Sequence, residues 1–213
     1  MNFPRALVVL AIPALLLAGC ATPSEPGDSG DIVPGGGEPQ PIAAPGEVSG
    51  QGTVLQLDGE PAQFCLGAVM ESLPPQCSGP ELIGWDWPED GMWESASGVT
   101  WGTYAVSGTW DGVAFTQTYP PIPLALYDPM PTEPDPRTDP ANAGDSDEAF
   151  LQRVQDELSA WTDVTVLTSY PDNGYLWVTV YYDDGTIQAY LDEVYGPDVV
   201  VVQPALRDVP PSS

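Results

Sequence analysis

Residues 145–202 read DSDEAFLQRVQDELSAWTDVTVLTSYPDNGYLWVTVYYDDGTIQAYLDEVYGPDVVVV. Apolar residues in the first part recur every three or four positions, which is the spacing of one helix face: Leu151, Val154, Leu158 and Trp161. Two runs rich in β-branched and aromatic residues follow, and Asn173-Gly174 between them is a strong signal for a tight hairpin. A second helical spacing and a run of valines complete the stretch. The predicted order of elements is therefore helix, strand, strand, helix, strand.

The ends of these elements carry signals of their own. Asp145 followed three residues later by Glu148 has the form of a capping box, which predicts the start of the first helix. Asp183 or Asp184 can cap the second helix in the same way. Residues 199–202 are an unbroken apolar strand, which predicts a central position in the sheet. We expect the two helices to cover one face of this three-stranded sheet.

The preceding region, residues 48–118, consists of short β-like runs separated by turns: Thr53–Leu57, Gln63–Val69, Glu81–Trp85, Val99–Ser107 and Val113–Thr118. The last two runs are joined through Asp111-Gly112, which is another hairpin signal. Cys65 and Cys77 enclose a short turn-rich loop, and in an oxidising compartment we expect them to form a disulfide. A zinc or redox pair is the alternative, but it lacks both CxxC spacing and further ligands.

The predicted fold class is α+β. A small disulfide-bonded all-β domain, for which an OB-like barrel is one arrangement, is followed by a small α-β-β-α-β sandwich domain. Two segments rich in proline, glycine and acidic residues separate the folded parts, and they have few apolar side chains to bury. The predicted divisions are a signal peptide (1–19), a disordered tether (20–47), a β-rich domain (48–118), a Pro-rich acidic linker (119–144), the α-β-β-α-β domain (145–209) and a tail (210–213).

The start of the chain has the form of a bacterial lipoprotein signal peptide. Arg5 precedes the apolar run Ala6–Ala18, which is shorter than the roughly 20 residues that span a bilayer. Leu17-Ala18-Gly19-Cys20 then resembles the lipobox, in which small residues precede a cysteine. The resemblance implies cleavage before Cys20 and attachment of lipid to its thiol, which would hold the protein on the outer face of the cell membrane. An ordinary signal peptide with an incidental cysteine is the alternative.

The charge balance and the missing residue types exclude several classes of function. The chain has 4 basic and 31 acidic residues, for a net charge of −27. Binding to nucleic acid depends on neutralising phosphates with Lys and Arg, so we expect no nucleic-acid partner. The chain has no histidine and no lysine, which excludes Ser-His-Asp and Cys-His catalysis and Schiff-base chemistry. We therefore predict no catalytic residues. The functions that these absences do not exclude are carboxylate-based catalysis and non-catalytic binding.

Tryptophans are concentrated in the β-rich region and provide a candidate ligand platform. Exposed indole rings could stack on sugars or on an extended peptide, whereas rings buried in a small barrel would belong to its core. The candidate platform consists of Trp85, Asp86, Trp87 and Trp93.

The same segment is a candidate calcium site, because calcium prefers hard oxygen ligands. The spacing does not match an EF-hand loop, which has Glu at position twelve where this chain has Ser97. An acidic solvated loop is the alternative, and no other cofactor is predicted. The candidate ligands are Asp86, Glu89, Asp90 and Glu94.

The chain resembles secreted lipoproteins of actinobacteria, a resemblance that carries over no activity. It lies in the lipobox, in a cysteine-bounded segment and near the C-terminus: Leu17–Cys20, Phe64–Gly67, Ser72–Cys77, Gly79, Gly84–Trp87, Tyr195–Pro197 and Pro204–Arg207. We predict a non-enzymatic binding or structural module of the cell envelope, attached to the membrane through lipid on Cys20, with an envelope protein or glycan as partner. The alternatives are a carboxylate-dependent hydrolase of cell-wall glycan and a calcium-dependent surface protein.

Overall fold

A computed structural model describes residues 38–89, 91–129 and 133–210, which belong to one compact unit. Several predicted features lie outside the described residues: the signal peptide, Cys20, most of the tether, Asp90 and most of the tail.

The strands are β1 (Glu47–Leu57), β2 (Gln63–Cys65), β3 (Leu82–Ile83), β4 (Glu94–Ala96), β5 (Val99–Trp110), β6 (Phe115–Gln117), β7 (Ile122–Pro123), β8 (Val166–Asp172), β9 (Tyr175–Val180), β10 (Val200–Pro204) and β11 (Arg207–Asp208). The helices are α1 (Glu148–Ser159) and α2 (Thr186–Tyr195). The predicted α+β class is confirmed.

The larger sheet contains eight strands and curls into a half-barrel. Its two long strands, β1 and β5, pair antiparallel along their whole length, from Glu47 opposite Thr109 to Leu57 opposite Val99. The strand order is β11-β1-β5-β6-β3, with β2 also pairing with β1, and β4 and β7 with β5. One edge strand, β11, comes from the C-terminal end of the described chain. The sheet therefore draws on both the predicted β-rich region and the predicted α-β-β-α-β region.

The hairpin predicted at Asp111-Gly112 joins β5 to β6. The Asp111 carboxylate accepts hydrogen bonds from the backbone N–H groups of Val113 and Ala114, at 2.8 and 2.7 Å. Gly112 has a φ of 99°, in the left-handed region that glycine adopts without strain. The bonds from Ala114 and Val113 hold the pKa of the Asp111 carboxyl below its ordinary value. The turn is thus closed by its own aspartate.

The predicted disulfide is confirmed between Cys65 and Cys77, whose Cα atoms are 6.0 Å apart. Cys65 is the last residue of β2 and is buried beside Leu55 and Val99. Within the enclosed loop, the Met70 N–H donates to the Gln76 carbonyl at 2.9 Å. The disulfide therefore ties a turn-rich loop to the small apolar cluster beside β2.

The smaller sheet has the order β10-β9-β8, and the predicted sequence α-β-β-α-β is confirmed. β8 and β9 form the hairpin predicted at Asn173-Gly174, both of which have positive φ. β10 runs parallel to β9 and lies at the edge, so the predicted central position of residues 199–202 is wrong. The strand is apolar because Val200 packs towards the helices while Val201 packs with Trp177 on the opposite face.

The open edge of β10 is covered by a side chain of α2. Gln188 Nε2 donates to the Val200 carbonyl, and Gln188 Oε1 accepts from the Val202 N–H, both at 2.9 Å. A glutamine of α1 acts similarly at the other edge, where Gln155 Nε2 donates to the Ser169 carbonyl at 2.7 Å. Unpaired strand edges invite association with other chains, so each helix protects the edge beside it.

The helix starts differ in part from the prediction. The N-cap of α1 is Asp147, whose carboxylate accepts from the Phe150 N–H at 2.8 Å, so the capping box predicted at Asp145 is wrong by two residues. The chain just before it is held against the β8–β9 turn, because the Gly144 N–H donates to the Asn173 carbonyl. The helix therefore begins only after this contact.

The N-cap of α2 is Gly185, so neither Asp183 nor Asp184 occupies the predicted cap position, although both carboxylates accept hydrogen bonds from the first turn. Asp183 accepts from the Ile187 and Gln188 N–H groups, at 2.8 and 3.3 Å, and Asp184 accepts from the Thr186 N–H at 3.0 Å. The helix ends at Tyr195 and is followed by its C-cap residue Gly196, which has a φ of 99°. Both helices lie on one face of the three-stranded sheet, and the buried contacts are made by Leu151, Val154, Leu158, Ile187 and Leu191 against Leu176, Val178, Val180 and Val200.

The opposite face of this sheet is covered by the Pro-rich segment that precedes α1. Two short 3-10 turns, Pro136–Thr138 and Pro140–Asn142, lie there. The Arg137 guanidinium lies 5.7 Å from the centre of the Trp177 ring, and the Tyr175 hydroxyl donates to the Asn142 carbonyl at 2.8 Å. This cover explains why Trp177 is buried on the face opposite the helices.

The two sheets share contacts within the same compact unit. Trp110 of β5 and Tyr181, just after β9, have ring centres 5.4 Å apart, and Leu206 is buried in the core of the larger sheet. Ile42, in the predicted tether, packs against the cores of both sheets. Within the described ranges, neither helix is long and apolar enough to cross a bilayer.

Candidate functional site

The three tryptophans of the candidate platform lie together beside β5. Trp85 and Trp87 have ring centres 5.3 Å apart, and Trp87 and Trp93 are 5.9 Å apart. Trp85 also packs edge-to-face on Tyr104, a fully buried residue of β5, at 5.0 Å. Trp85 and Trp87 are half-buried against the larger core, whereas Trp93 is 39% exposed. The cluster thus combines core packing with one accessible ring.

Two of the indole N–H groups are already used within the protein. Trp87 Nε1 donates to Gln56 Oε1 at 2.7 Å, and Trp93 Nε1 donates to the Pro88 carbonyl at 3.1 Å. Trp85 Nε1 is buried and has no hydrogen-bond partner among the described residues. Asp86 is exposed beside these rings. The platform stays a prediction, and its accessible part is the ring of Trp93.

The candidate calcium ligands do not converge in the described part of the chain. Asp86, Glu89 and Glu94 are exposed, and Asp90 is outside the described residues. No group of three or more Asp, Glu, Cys or His side chains placed to hold a metal ion occurs within residues 38–89, 91–129 and 133–210. The calcium site likewise stays a prediction, because one of its four candidate ligands is not described.

A second candidate site, which sequence reasoning missed, is a groove on the outer face of the larger sheet. Two adjoining hollows of about 840 and 670 Å³ form it, and we call it the tyrosine groove. Its floor contains Ser49 of β1 and Ala105 and Ser107 of β5. These side chains are small and point away from the core, because they alternate with inward-facing residues along each strand. Small floor residues leave room between the walls.

The walls of the tyrosine groove are aromatic and apolar. Tyr119, just before β7, and Ile122 of β7 are 55% and 45% exposed, and Val209 lies on the other side, just after β11. Tyr127 contributes to both hollows and connects them. These residues are far apart in the sequence, and no local sequence pattern marks them as one site.

Three charged side chains line the groove: Glu47 in the first hollow, and Arg207 and Asp208 in the second. Arg207 of β11 lines the second hollow, is exposed and makes no ion pair with any described residue. Its neighbour Asp208 lines the same hollow and accepts a hydrogen bond from the Tyr182 hydroxyl at 3.1 Å. Burial, followed by the hydrogen bond to Asp208, raises the pKa of Tyr182, which keeps that hydroxyl protonated. Arg207 is therefore the one cation of a groove whose described lining also holds two carboxylates.

A smaller cavity of about 410 Å³ lies between the two sheets. Trp110, Tyr181 and Ile42 line it, and burial raises the pKa of the Tyr181 hydroxyl. Its lining joins the two sheets and the end of the predicted tether. We attribute to it a structural role in holding these parts together.

Comparison with protein-family models, curated proteins and solved structures found no match for this chain. The resemblance to actinobacterial secreted lipoproteins therefore stays a prediction. The two candidate binding sites in the described chain are the tyrosine groove and the tryptophan cluster.

Proposed function

We propose that this protein is a lipid-anchored extracytoplasmic lipoprotein that acts as a non-enzymatic binding module of the cell envelope. The observation that carries the proposal is the pairing of the cysteines. The chain has three, and Cys65 and Cys77 are joined in a disulfide. Cys20 is thus the one cysteine left for another modification, and it follows the small residues Ala18-Gly19 after an apolar run.

The disulfide also supports the proposed location. Disulfides persist in oxidising compartments and are rare where thiols are kept reduced. An exported protein would form this bond, whereas the same chain in a reducing cytosol would not keep it. The lipid anchor and the disulfide are therefore consistent with the same compartment.

Two features support binding over catalysis. The chain has neither histidine nor lysine, which removes most general acid–base and nucleophilic mechanisms. The tyrosine groove is large and open, and small polar residues on its floor are combined with aromatic and apolar walls. Ligand sites commonly have this composition, with a few polar groups among apolar surfaces.

The proposal is tested by the fate of the protein when Cys20 cannot accept lipid. In its native host, we expect wild-type protein in the membrane fraction and the Cys20→Ser variant largely outside it. A matched control carries Cys65→Ser and Cys77→Ser, which removes the disulfide and leaves the lipidation residue in place. We expect this control to stay with the membrane. Equal membrane retention of Cys20→Ser and wild type would overturn the proposed anchor.

A further inference from the structure

We propose that residues 38–44 form a releasable strap across the cavity between the two sheets, and that local release of this strap opens the cavity without unfolding either sheet. The strap lies within the predicted tether. The inference goes beyond the proposed binding function and does not depend on the lipid anchor. It follows from where the strap is attached, from how few backbone bonds hold it, and from what lies beneath it.

The start of the strap is attached to the loop that follows α1. Glu38 Oε2 accepts hydrogen bonds from the backbone N–H groups of Thr162 and Asp163, at 2.9 and 3.1 Å. Gln40 Nε2 adds a bond to Asp163 Oδ2 at 2.8 Å. All three bonds depend on side chains of the strap, so a single substitution can remove an attachment while the backbone of the loop keeps its sequence.

The rest of the strap crosses to the larger sheet. Its burial alternates, because Ile42 and Ala44 are half-buried while Pro41 and Ala43 are exposed. Ile42 packs against the cores of both sheets, and Ala44 packs against the core of the larger sheet. The Ala44 N–H donates to the Trp110 carbonyl of β5 at 2.9 Å. The strap therefore joins the helical side of the smaller sheet to the larger sheet.

The cavity beneath the strap is mainly apolar and aromatic. Pro41 and Ile42 form part of its wall, and Trp110 and Tyr181 contribute two aromatic rings. Asp163, the one charged residue of the described lining, is the residue to which the start of the strap is attached. Lifting the strap removes part of the wall and frees this attachment, so it exposes the apolar lining to solvent.

The strap is held more weakly than the sheets that it crosses. Among the described residues, its one bond between backbone groups is that of Ala44, whereas β1 pairs with β5 along all 11 of its residues. Local openings of a native protein begin in segments with few buried contacts and exposed hydrogen bonds. Gly46, which has open space around it, provides a hinge just before β1. The strap can therefore swing away while β1 stays paired.

Hydrogen exchange of the full-length protein in detergent, resolved to single amides by mass spectrometry, tests the strap as a unit. The amide of Ala44 is informative because it bonds to Trp110 and not to Glu38. We expect Glu38→Ala to speed exchange at Ala44 at least about fivefold, since loss of one attachment favours release of the whole strap. Glu148→Ala is the matched control, because Glu148 is exposed on α1 and bonds to Gln152. We expect this control to exchange as wild type does.

A substitution in the middle of the strap gives the reciprocal test. We expect Ile42→Ala to speed exchange at the amides of Thr162 and Asp163 at least about fivefold, because it removes apolar contacts that exist only while the strap is closed. Ile122→Ala is its matched control, since Ile122 is 45% exposed on β7 and lies outside the strap and the cavity lining. Exchange in β1 and β5 should change less than in the strap, because release is local.

Nile red, a neutral apolar dye, reports the opening of the cavity. We expect brighter emission with Glu38→Ala than with wild type or Glu148→Ala. Three results would overturn the inference: equal exchange at Ala44 in Glu38→Ala and Glu148→Ala, equal acceleration in the strap and in β1 and β5, or unchanged dye emission in Glu38→Ala. None of them bears on the lipid anchor, which the membrane retention of Cys20→Ser decides separately.

Discussion

Replacing Gln188 with leucine removes the side chain that covers the open edge of the three-stranded sheet. Gln188 makes hydrogen bonds of 2.9 Å with both the Val200 carbonyl and the Val202 N–H. A typical hydrogen bond contributes a net 0.5–1.5 kcal/mol or so, and removing one partner leaves the other without compensation. Because leucine has a similar size, the apolar contacts change little. We therefore expect the free energy of unfolding to fall by about 1–3 kcal/mol.

The assay is equilibrium unfolding in urea, followed by tryptophan fluorescence with the disulfide intact. Gln152→Leu on α1 is the matched control, because Gln152 is exposed and its side chain bonds, among the described residues, to Glu148 alone, at 3.2 Å. That variant should lose no more than about 0.5 kcal/mol, the usual range for an exposed pair on a helix. If Gln188→Leu and Gln152→Leu lose the same amount, the edge-covering role assigned to Gln188 is incorrect.

Three further perturbations have defined outcomes. Replacing Cys65 and Cys77 together with serine should lower the free energy of unfolding by about 3 kcal/mol, because the bond closes a loop with a sequence separation of 12; a urea-unfolding loss below about 1 kcal/mol would contradict this. The lowered pKa of Asp111 means that its carboxylate stabilises the fold above its ordinary pKa of 3.8 and that this contribution is lost as pH falls through the lower folded value. Asp111→Asn should therefore weaken the fall in thermal midpoint between about pH 4 and pH 2, and an unchanged pH profile would refute the assignment. Gly174→Ala should be clearly more destabilising than Gly185→Ala in thermal unfolding, since both have positive φ but only the first would place a methyl group against a backbone carbonyl; equal midpoints would count against the close approach.

Local signals in the sequence predicted much of the fold. Asn173-Gly174 and Asp111-Gly112 fixed two hairpins, because few residues other than glycine and asparagine adopt positive φ without strain. The helical spacing of apolar residues located α1 and α2. The disulfide followed from a pair of cysteines in a chain whose first residues resemble an export signal.

Features that depend on distant contacts were missed. β10 is apolar on both sides, which sequence patterns cannot distinguish from a central strand, and its edge position depends on Gln188. The cap at Asp147 depends on a contact between Gly144 and the β8–β9 turn. The tyrosine groove is assembled from segments near both ends of the folded chain, and no local pattern marks it.

The tryptophan segment shows why a site is harder to predict than a fold. Composition alone did not decide whether the indole rings are buried in the core or exposed to a ligand. In the structure, Trp85 and Trp87 pack on the buried ring of Tyr104, while the ring of Trp93 remains accessible. Exposure depends on how the segment lies against β5, and that is decided by packing rather than by residue type.

The lipid anchor is tested most directly by mass spectrometry of the mature amino terminus, on protein purified from its native membrane. We predict a first residue of Cys20 that carries the added mass of lipid. A chain that keeps Met1, or that begins at an unmodified Cys20, would contradict the account.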